Sequence, residues 1–182
     1  GKTYGYRAYV KVGAMIYLSA ETGFFRLSDC TTRPVKGNPI TYTIDASLGE
    51  DYEDDCTLTY GNLQRAIDLL KESYSSADAD YQYVTKVGDS YNLNQPVTMK
   101  VKFYNDDMST DAAYIYRGTT NVGKHAGNTT PKNANLLQDI NRSSANKANT
   151  LTIKAGDNKA KPWVHHIVIR NSKNIVLDSL AI

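Results

Sequence analysis

Apolar and polar residues alternate along several short segments of the chain, and this period of two predicts β-strands. Alternation over residues 3–10 and again over 15–18, with a turn at Gly13 and Ala14 between them, predicts a β-hairpin. The clearest strands are expected at 40–44 and 97–103, where threonine or lysine separates the apolar residues. Short apolar runs predict four more strands, at 151–153, 167–169, 175–177 and 180–182.

A helical period occurs once. Apolar residues spaced i, i+3, i+4 and i+7 predict an amphipathic helix over residues 61–71, with one dry face formed by Leu63, Ala66, Ile67 and Leu70. Thr59 and Asn62 are both suitable N-caps for this helix, because their side-chain oxygens accept hydrogen bonds from its first amides.

Two stretches lack such patterns. Residues 31–39 contain Pro34, Gly37 and Pro39, which predicts a linker. The stretch from Tyr104 to Ala148 is polar, and its only predicted element is a short turn of helix at 136–138. A segment of this length without regular structure is uncommon inside a compact domain. We therefore expect it to be a surface excursion.

Composition narrows the classes of partner. The chain has 182 residues and a formal net charge of only +2, with basic and acidic residues scattered throughout, so no basic surface favours nucleic acid. No apolar run is long enough to cross a bilayer, and no signal peptide is visible, so an exported form would have its targeting segment removed or upstream. Fourteen tyrosines suit sheets that keep one face in water.

Candidate metal and redox chemistry is limited. Cys30 and Cys56 fit either one disulfide or two free thiols, and neither has a second Cys or a His at metal-ligand spacing. His165 and His166 are adjacent and would point to opposite faces of a strand, so we expect one to face outward and one to pack near Trp163.

Acidic residues offer oxygen ligands for Ca²⁺ in two places, residues 50–55 and the group Asp106, Asp107 and Asp111. Neither run has the spacing of an EF-hand loop, so a solvated acidic loop is the favoured interpretation. The sequence contains no nucleophile elbow, phosphate loop or paired metal motif. We assign no catalytic, metal or ligand-binding residue and no cofactor.

The first strands resemble a known domain. The pattern Tyr-x-Tyr-Arg-Ala-Tyr at 4–9 resembles the penultimate strand of a fibronectin type III or related immunoglobulin-like sandwich. The resemblance covers about 25 residues and implies that 1–30 is the C-terminal hairpin of such a module, followed by the linker at 31–39.

Residues 40–182 resemble the start of a right-handed parallel β-helix of the pectin-lyase-like type. The segment 166–182 resembles one rung, and the positions 151 and 175, like 153 and 177, are 24 residues apart. Residues 60–68 followed by 96–101 resemble the entry of pectin-methylesterase-like β-helices, where an amphipathic helix caps the open end, and 150–154 matches their second-rung strand. The expected fold is therefore mainly β, with an N-terminal capping α-helix.

The resemblance implies an exported protein of the cell surface or outer membrane. Enzymes of this superfamily place acidic residues outward, as expected for Asp178, but their catalytic residues lie in later rungs, and none is carried over. We favour a noncatalytic module that binds glycans or partner proteins through tyrosines and the long loop, by analogy a surface lipoprotein of a glycan-uptake complex. The alternative is the front end of a polysaccharide lyase or carbohydrate esterase.

Both ends are expected to be covered in the native protein. The hairpin at 1–30 has too few strands for a sandwich, and Leu180 and Ile182 should stack under a further rung. We therefore expect a fragment of a larger cell-surface protein, or a subunit whose ends other chains cover.

Overall fold

The computed structural model describes the strands at 3–6, 9–12, 15–18 and 23–26, residues 33–49, 52–102 and 134–156, Pro162 and Val164, and residues 166–182. The chain divides into two compact units, Gly1–Thr31 and Thr32–Ile182. In these described residues the protein is mainly β, with a mixed sheet and one short α-helix.

The first unit contains two antiparallel strand pairs. Strands β2 (Tyr9–Val12) and β3 (Met15–Leu18) form the predicted hairpin, with Val12 opposite Met15. Strand β1 (Thr3–Tyr6) pairs with β4 (Gly23–Arg26). The single strand predicted over 3–10 is therefore two strands with different partners, and β4 was missed because its apolar run is only two residues long.

The main sheet of the second unit has six strands. Four of them lie side by side in parallel, in the order β14 (Ile175–Asp178), β12 (Leu151–Ala155), β10 (Val97–Val101) and β5 (Ile40–Ile44). At one edge lie β7 (Thr59–Tyr60), parallel to β5, and β6 (Glu53–Asp54), antiparallel to β7. The strands predicted at 40–44, 151–153 and 175–177 are confirmed.

The register of the parallel strands repeats with the sequence spacing. Leu151 lies opposite Ile175, and Ile153 lies opposite Leu177. In each pair the two residues are 24 positions apart in the sequence. One ladder runs through Ile40, Val97 and Leu151, which are each no more than 1% exposed. Aligned apolar residues on one face of stacked strands bury one another, and these ladders form the core.

A second parallel pair overturns one prediction. Residues 135–138, predicted as a turn of helix, form strand β11 (Asn135–Gln138), which pairs in parallel with β13 (Ile167–Arg170). Leu137 and Ile140 are buried, so the expected surface excursion from Tyr104 to Ala148 is wrong for this part. Residues 104–133 of the predicted excursion lie outside the described residues.

Other boundaries also differ from expectation. The strand predicted over 97–103 ends at Val101, and Phe103 lies outside the described residues. No strand forms at 180–182, where Ala181 instead exchanges backbone hydrogen bonds with Pro162 and Val164, at 3.0 and 2.8 Å. Strands β8 (Val84–Val87) and β9 (Ser90–Leu93) form a further hairpin.

The predicted helix is present as α1 (Leu63–Glu72). Asn62 is its N-cap, because the side-chain oxygen accepts a hydrogen bond from the Arg65 amide at 3.1 Å. The predicted dry face is buried, with Ile67 at 0% exposure, and the helix packs against β5, β7 and β11. The described residues also contain three short 3-10 helices, at Ala46–Leu48, Ser73–Ser75 and Ala79–Tyr81.

Side chains fix several of the turns. Asn141, which has φ of +54° and is fully buried, accepts a hydrogen bond from the Leu93 amide at 2.9 Å and donates one to the Asn149 carbonyl at 2.8 Å. Asp45 caps the first 3-10 helix and receives a hydrogen bond from Lys102 at 2.8 Å. Burial opposes ionisation of Asp45, but the hydrogen bonds from Lys102 and Ser47 outweigh it and lower the pKa of this carboxyl.

The segment predicted as a linker is bonded to the second unit where it is described. The Lys36 amide donates to the Asp80 carbonyl at 2.6 Å, and the Tyr83 hydroxyl donates to the Pro34 carbonyl at 2.6 Å. Residues 33–36 are therefore fixed against the chain around 80–83, and Arg33 lies beside Tyr81 and Tyr83.

Candidate functional site

The described tyrosines of the second unit differ in exposure. Tyr42, Tyr60 and Tyr83 are core residues with at most 1% exposure, which corrects the expectation that the tyrosines form the exterior. Tyr52 and Tyr74 are exposed, at 39% and 38%. Exposed aromatic rings are the ones that can contact a ligand, so the surroundings of these two decide where a binding surface lies.

Tyr74 belongs to a surface cluster that we call the tyrosine–lysine patch, formed by Lys71, Tyr74, Lys86 and Tyr91. The rings of Tyr74 and Tyr91 have centroids 5.9 Å apart and are tilted by 58°. The Lys86 ammonium lies 4.9 Å from the Tyr74 centroid and 5.4 Å from that of Tyr91. Lys71 lies 4.7 Å from the Tyr91 centroid. Each such cation–π contact contributes about 0.5–1 kcal/mol at an exposed site.

Three elements build the patch. Lys71 comes from the last turn of α1, Tyr74 from the 3-10 helix that follows it, and Lys86 and Tyr91 from facing positions of the β8–β9 hairpin. Neither lysine lies within 4 Å of a carboxylate in the described part of the chain. The patch therefore combines two aromatic rings with two positive charges.

A separate cleft of about 280 Å³ opens beside the same helix end. We call it the Arg33–Asp55 cleft, and it is lined by Arg33, Tyr42, Asp55, Tyr60, Leu69, Glu72, Ser73, Ser75 and Ser76. Only Leu69 is aliphatic among these residues. Polar and charged groups thus dominate the cleft. Such a lining suits a polar molecule that forms hydrogen bonds better than an apolar one.

Aromatic residues hold Arg33 in place. Its guanidinium carbon lies 4.6 Å from the ring centroid of Tyr81 and 5.8 Å from that of Tyr83, and Nε donates to the Tyr83 hydroxyl at 3.3 Å. Burial lowers the pKa of Arg33, but the hydrogen bond to Tyr83 and the charge of Asp55 outweigh that effect and leave the pKa raised. The side chain is a fixed, permanent cation.

Asp55 is exposed, and a core tyrosine holds its carboxylate. The Tyr60 hydroxyl donates to Asp55 Oδ1 at 2.6 Å, and the Tyr60 ring stacks on Tyr42 with centroids 5.8 Å apart. Burial, together with the neighbouring Asp55 carboxylate, raises the pKa of Tyr60 well above the usual range for a phenol. Tyr60 therefore remains a hydrogen-bond donor at all ordinary pH values.

The predicted acidic loop divides among several structural roles. Glu53 pairs with Arg65 at 2.6 Å, and Asp54 accepts hydrogen bonds from Thr57 and from the Cys56 amide. The bond from the Thr57 hydroxyl is the main reason that the pKa of Asp54 is lowered. Glu50 and Asp51 lie outside the described residues. Within 33–49, 52–102, 134–156 and 166–182, no three His, Cys, Asp or Glu side chains converge on a metal position.

The remaining candidates are not brought together. His166 is exposed with φ of +40°, whereas His165 and Trp163 lie outside the described residues, as do Asp106, Asp107 and Asp111. Asp178 is exposed at the end of β14, as expected, but so is Leu177, at 38%. Cys56 is disulfide-bonded, so the alternative of two free thiols is wrong, and Cys30 lies outside the described residues.

Comparison with protein-family models, with curated proteins and with solved structures finds no match to this chain. The resemblances to a fibronectin-like module and to a pectin-lyase-like β-helix therefore stay predictions. Across the described residues, every helix is too short or too polar to cross a membrane.

Sequence reasoning missed both surface sites. It named the tyrosines as a class, but the residues of the patch come from three elements and those of the cleft from segments up to 43 positions apart, Arg33 and Ser76. One signal was present in the sequence: Lys71 and Tyr74 are spaced i, i+3 at the polar side of the helix end.

Proposed function

We propose that this chain is a noncatalytic, extracytoplasmic surface module that begins a right-handed parallel β-helix and binds glycans through the tyrosine–lysine patch. The single observation that carries the binding role is the contact between the exposed Tyr74 and the half-buried Tyr91, flanked by Lys71 and Lys86. Aromatic faces pack against the apolar faces of sugar rings, and the lysines supply hydrogen-bond donors at their edges.

The strand arrangement supports the proposed fold. Four strands stack in parallel, in the order β5, β10, β12 and β14, and a second parallel pair, β11 and β13, accompanies them. Successive parallel strands in sequence order with a constant offset of 24 residues between the last two layers are typical of a solenoid. Helix α1 packs against β5, β7 and β11, which is compatible with a cap over one end of such a coil.

One observation supports export. Cys56 is disulfide-bonded, and disulfides persist mainly in oxidising compartments such as the periplasm and the cell exterior. We propose the cell surface or outer membrane as its location.

Affinity electrophoresis tests the binding role. The protein is run in native gels containing laminarin, xylan, galactan or hyaluronan, with Tyr74→Ala and Tyr91→Ala beside the unchanged chain. We expect retardation by at least one polysaccharide and a loss of affinity of roughly 2- to 10-fold in each variant, the value of one stacking contact.

Tyr52→Ala is the matched control, because Tyr52 is as exposed as Tyr74 and lies outside the patch. Its affinity should equal that of the unchanged chain. Absence of retardation in every gel, or an equal loss in the Tyr52 variant, contradicts glycan binding by the patch. Melting temperatures of all variants verify that the rings were removed without unfolding the chain.

A further inference from the structure

The Arg33–Asp55 cleft holds opposite charges that do not pair with each other. Arg33 and Asp55 both line it, yet no described carboxylate lies within 4 Å of the guanidinium. Opposite charges in one cleft attract each other, and other contacts must therefore keep Arg33 and Asp55 apart. Here each charge has its own aromatic partner, Tyr83 for the cation and Tyr60 for the carboxylate.

This arrangement leaves binding groups of both signs for a ligand. Arg33 uses Nε for Tyr83, and no described residue accepts a hydrogen bond from its two terminal amino groups. Asp55 uses Oδ1 for Tyr60, and among residues 52–102 and the other described segments no donor reaches Oδ2. A planar guanidinium with two free amino groups binds a carboxylate in two-point fashion, and a carboxylate oxygen binds an ammonium.

The other lining groups add acceptors. The Ser75 hydroxyl donates to the Glu72 carbonyl at 2.9 Å, which leaves the lone pairs of its oxygen to accept. The Glu72 carboxylate lies 3.8 Å from an Arg65 amino group, and this neighbour offsets part of its charge. The cleft thus contains one strong donor group for an anion and several acceptors for a cation, and one positive and two negative side chains line it.

We propose that the Arg33–Asp55 cleft is a binding site for a small zwitterion, specifically a free α-amino acid. Arg33 binds the α-carboxylate, and Asp55, with the acceptors of Glu72 and Ser75, binds the α-ammonium group. A volume of about 280 Å³ fits one compact ligand of this kind. The preorganised positions of both charges reduce the ordering cost of binding.

The first experiment measures which ligand charges are required. Each standard amino acid is titrated singly into the chain by isothermal calorimetry, and the tightest one is compared with its methyl ester, which lacks the carboxylate, and its N-acetyl form, which lacks the ammonium. Glucose provides a ligand with hydroxyl groups alone. We expect the zwitterion to bind about 10- to 100-fold more tightly than either derivative, as for loss of one charge-assisted hydrogen-bond set.

The second experiment locates the site. Arg33→Gln and Asp55→Asn should each weaken binding by about 10- to 100-fold. Arg142→Gln is the control, because Arg142 is, like Arg33, partly exposed, but it pairs with Asp139 and does not line the cleft. Its affinity should be unchanged, and melting temperatures are measured for all three variants.

Several outcomes overturn the proposal: no amino acid binds, glucose or a single-charge derivative binds as tightly as the zwitterion, or Arg33→Gln and Asp55→Asn bind like the Arg142 variant. The test is independent of the glycan proposal. Tyr74→Ala removes part of the tyrosine–lysine patch and should leave amino-acid binding unchanged, so either proposal can fail without the other.

Discussion

The capping role of α1 depends on Ile67, and replacement of this residue by aspartate tests it. Ile67 is 0% exposed and lies in the middle of the dry face, between the helix and the strands β5, β7 and β11. Its side chain belongs to the same apolar cluster as Ile40 and Leu137. If the helix closes the core, a charge at this position has no access to water.

The expected cost follows from two contributions. Loss of the buried aliphatic side chain costs about 2–5 kcal/mol, and burial of a polar group without a partner adds about 1–3 kcal/mol. The sum, about 3–8 kcal/mol, is a large fraction of the usual 5–15 kcal/mol stability of a domain. Ile67→Val removes only one methyl group and should cost about 0.5–1.5 kcal/mol.

Urea unfolding monitored by far-ultraviolet circular dichroism measures these differences. Leu48→Asp is the control, since Leu48 is 43% exposed and the same carboxylate there stays hydrated. That variant should differ from the unchanged chain by no more than about 0.5 kcal/mol.

The pH dependence of Ile67→Asp provides a second check. Burial raises the pKa of the introduced carboxyl in the folded state, so the destabilisation should be largest above that pKa and should shrink as the pH falls below it. If Ile67→Asp unfolds at the same urea concentration as Leu48→Asp, the side chain is not buried and the capping role is refuted.

Three further predictions concern a buried turn residue, the loss of stability at low pH and strand β11. Asn141→Ala removes two buried hydrogen bonds and should lower stability by about 2–4 kcal/mol in urea unfolding, whereas loss below about 0.5 kcal/mol would contradict the assigned contacts. Because the pKa of Asp45 is lowered in the folded state, its interaction with Lys102 should stabilise the chain above about pH 4 and be lost on acidification, so Asp45→Asn should show a flatter decline in melting temperature at low pH than the unchanged protein. The amides of Asn135 and Asp139 donate to the His166 and Arg170 carbonyls and should exchange slowly with deuterium, and rapid exchange there would exclude the pairing of β11 with β13.

The elements of the core were largely predictable. Alternation at 40–44 and 151–153 identified strands whose apolar residues are buried, and the 24-residue spacing anticipated the register of β12 and β14. The helical period likewise gave α1 and its dry face. These predictions succeeded because burial of one face imposes a period on the sequence, and the period can be recognised without knowledge of the partner.

Strand β11 shows where local pattern was insufficient. Two adjacent leucines, Leu136 and Leu137, suit a helical turn as well as a strand, so the sequence indicated the wrong element. The backbone of β11 becomes a strand because β13, about 30 residues later, provides its hydrogen-bonding partner. Such a distant partner contributes nothing to the local pattern.

The two proposed binding surfaces could not be predicted from the local sequence pattern either. Composition indicated that tyrosines matter, but it could not distinguish Tyr42 and Tyr60 in the core from Tyr74 on the surface. Arg33 meets the cleft only because its segment docks against residues 80–83. The sequence by itself determined the periodic elements and their buried faces, which depend on neighbours along the chain. The tertiary structure alone decided which charges and rings meet, because those contacts join positions that no sequence period relates.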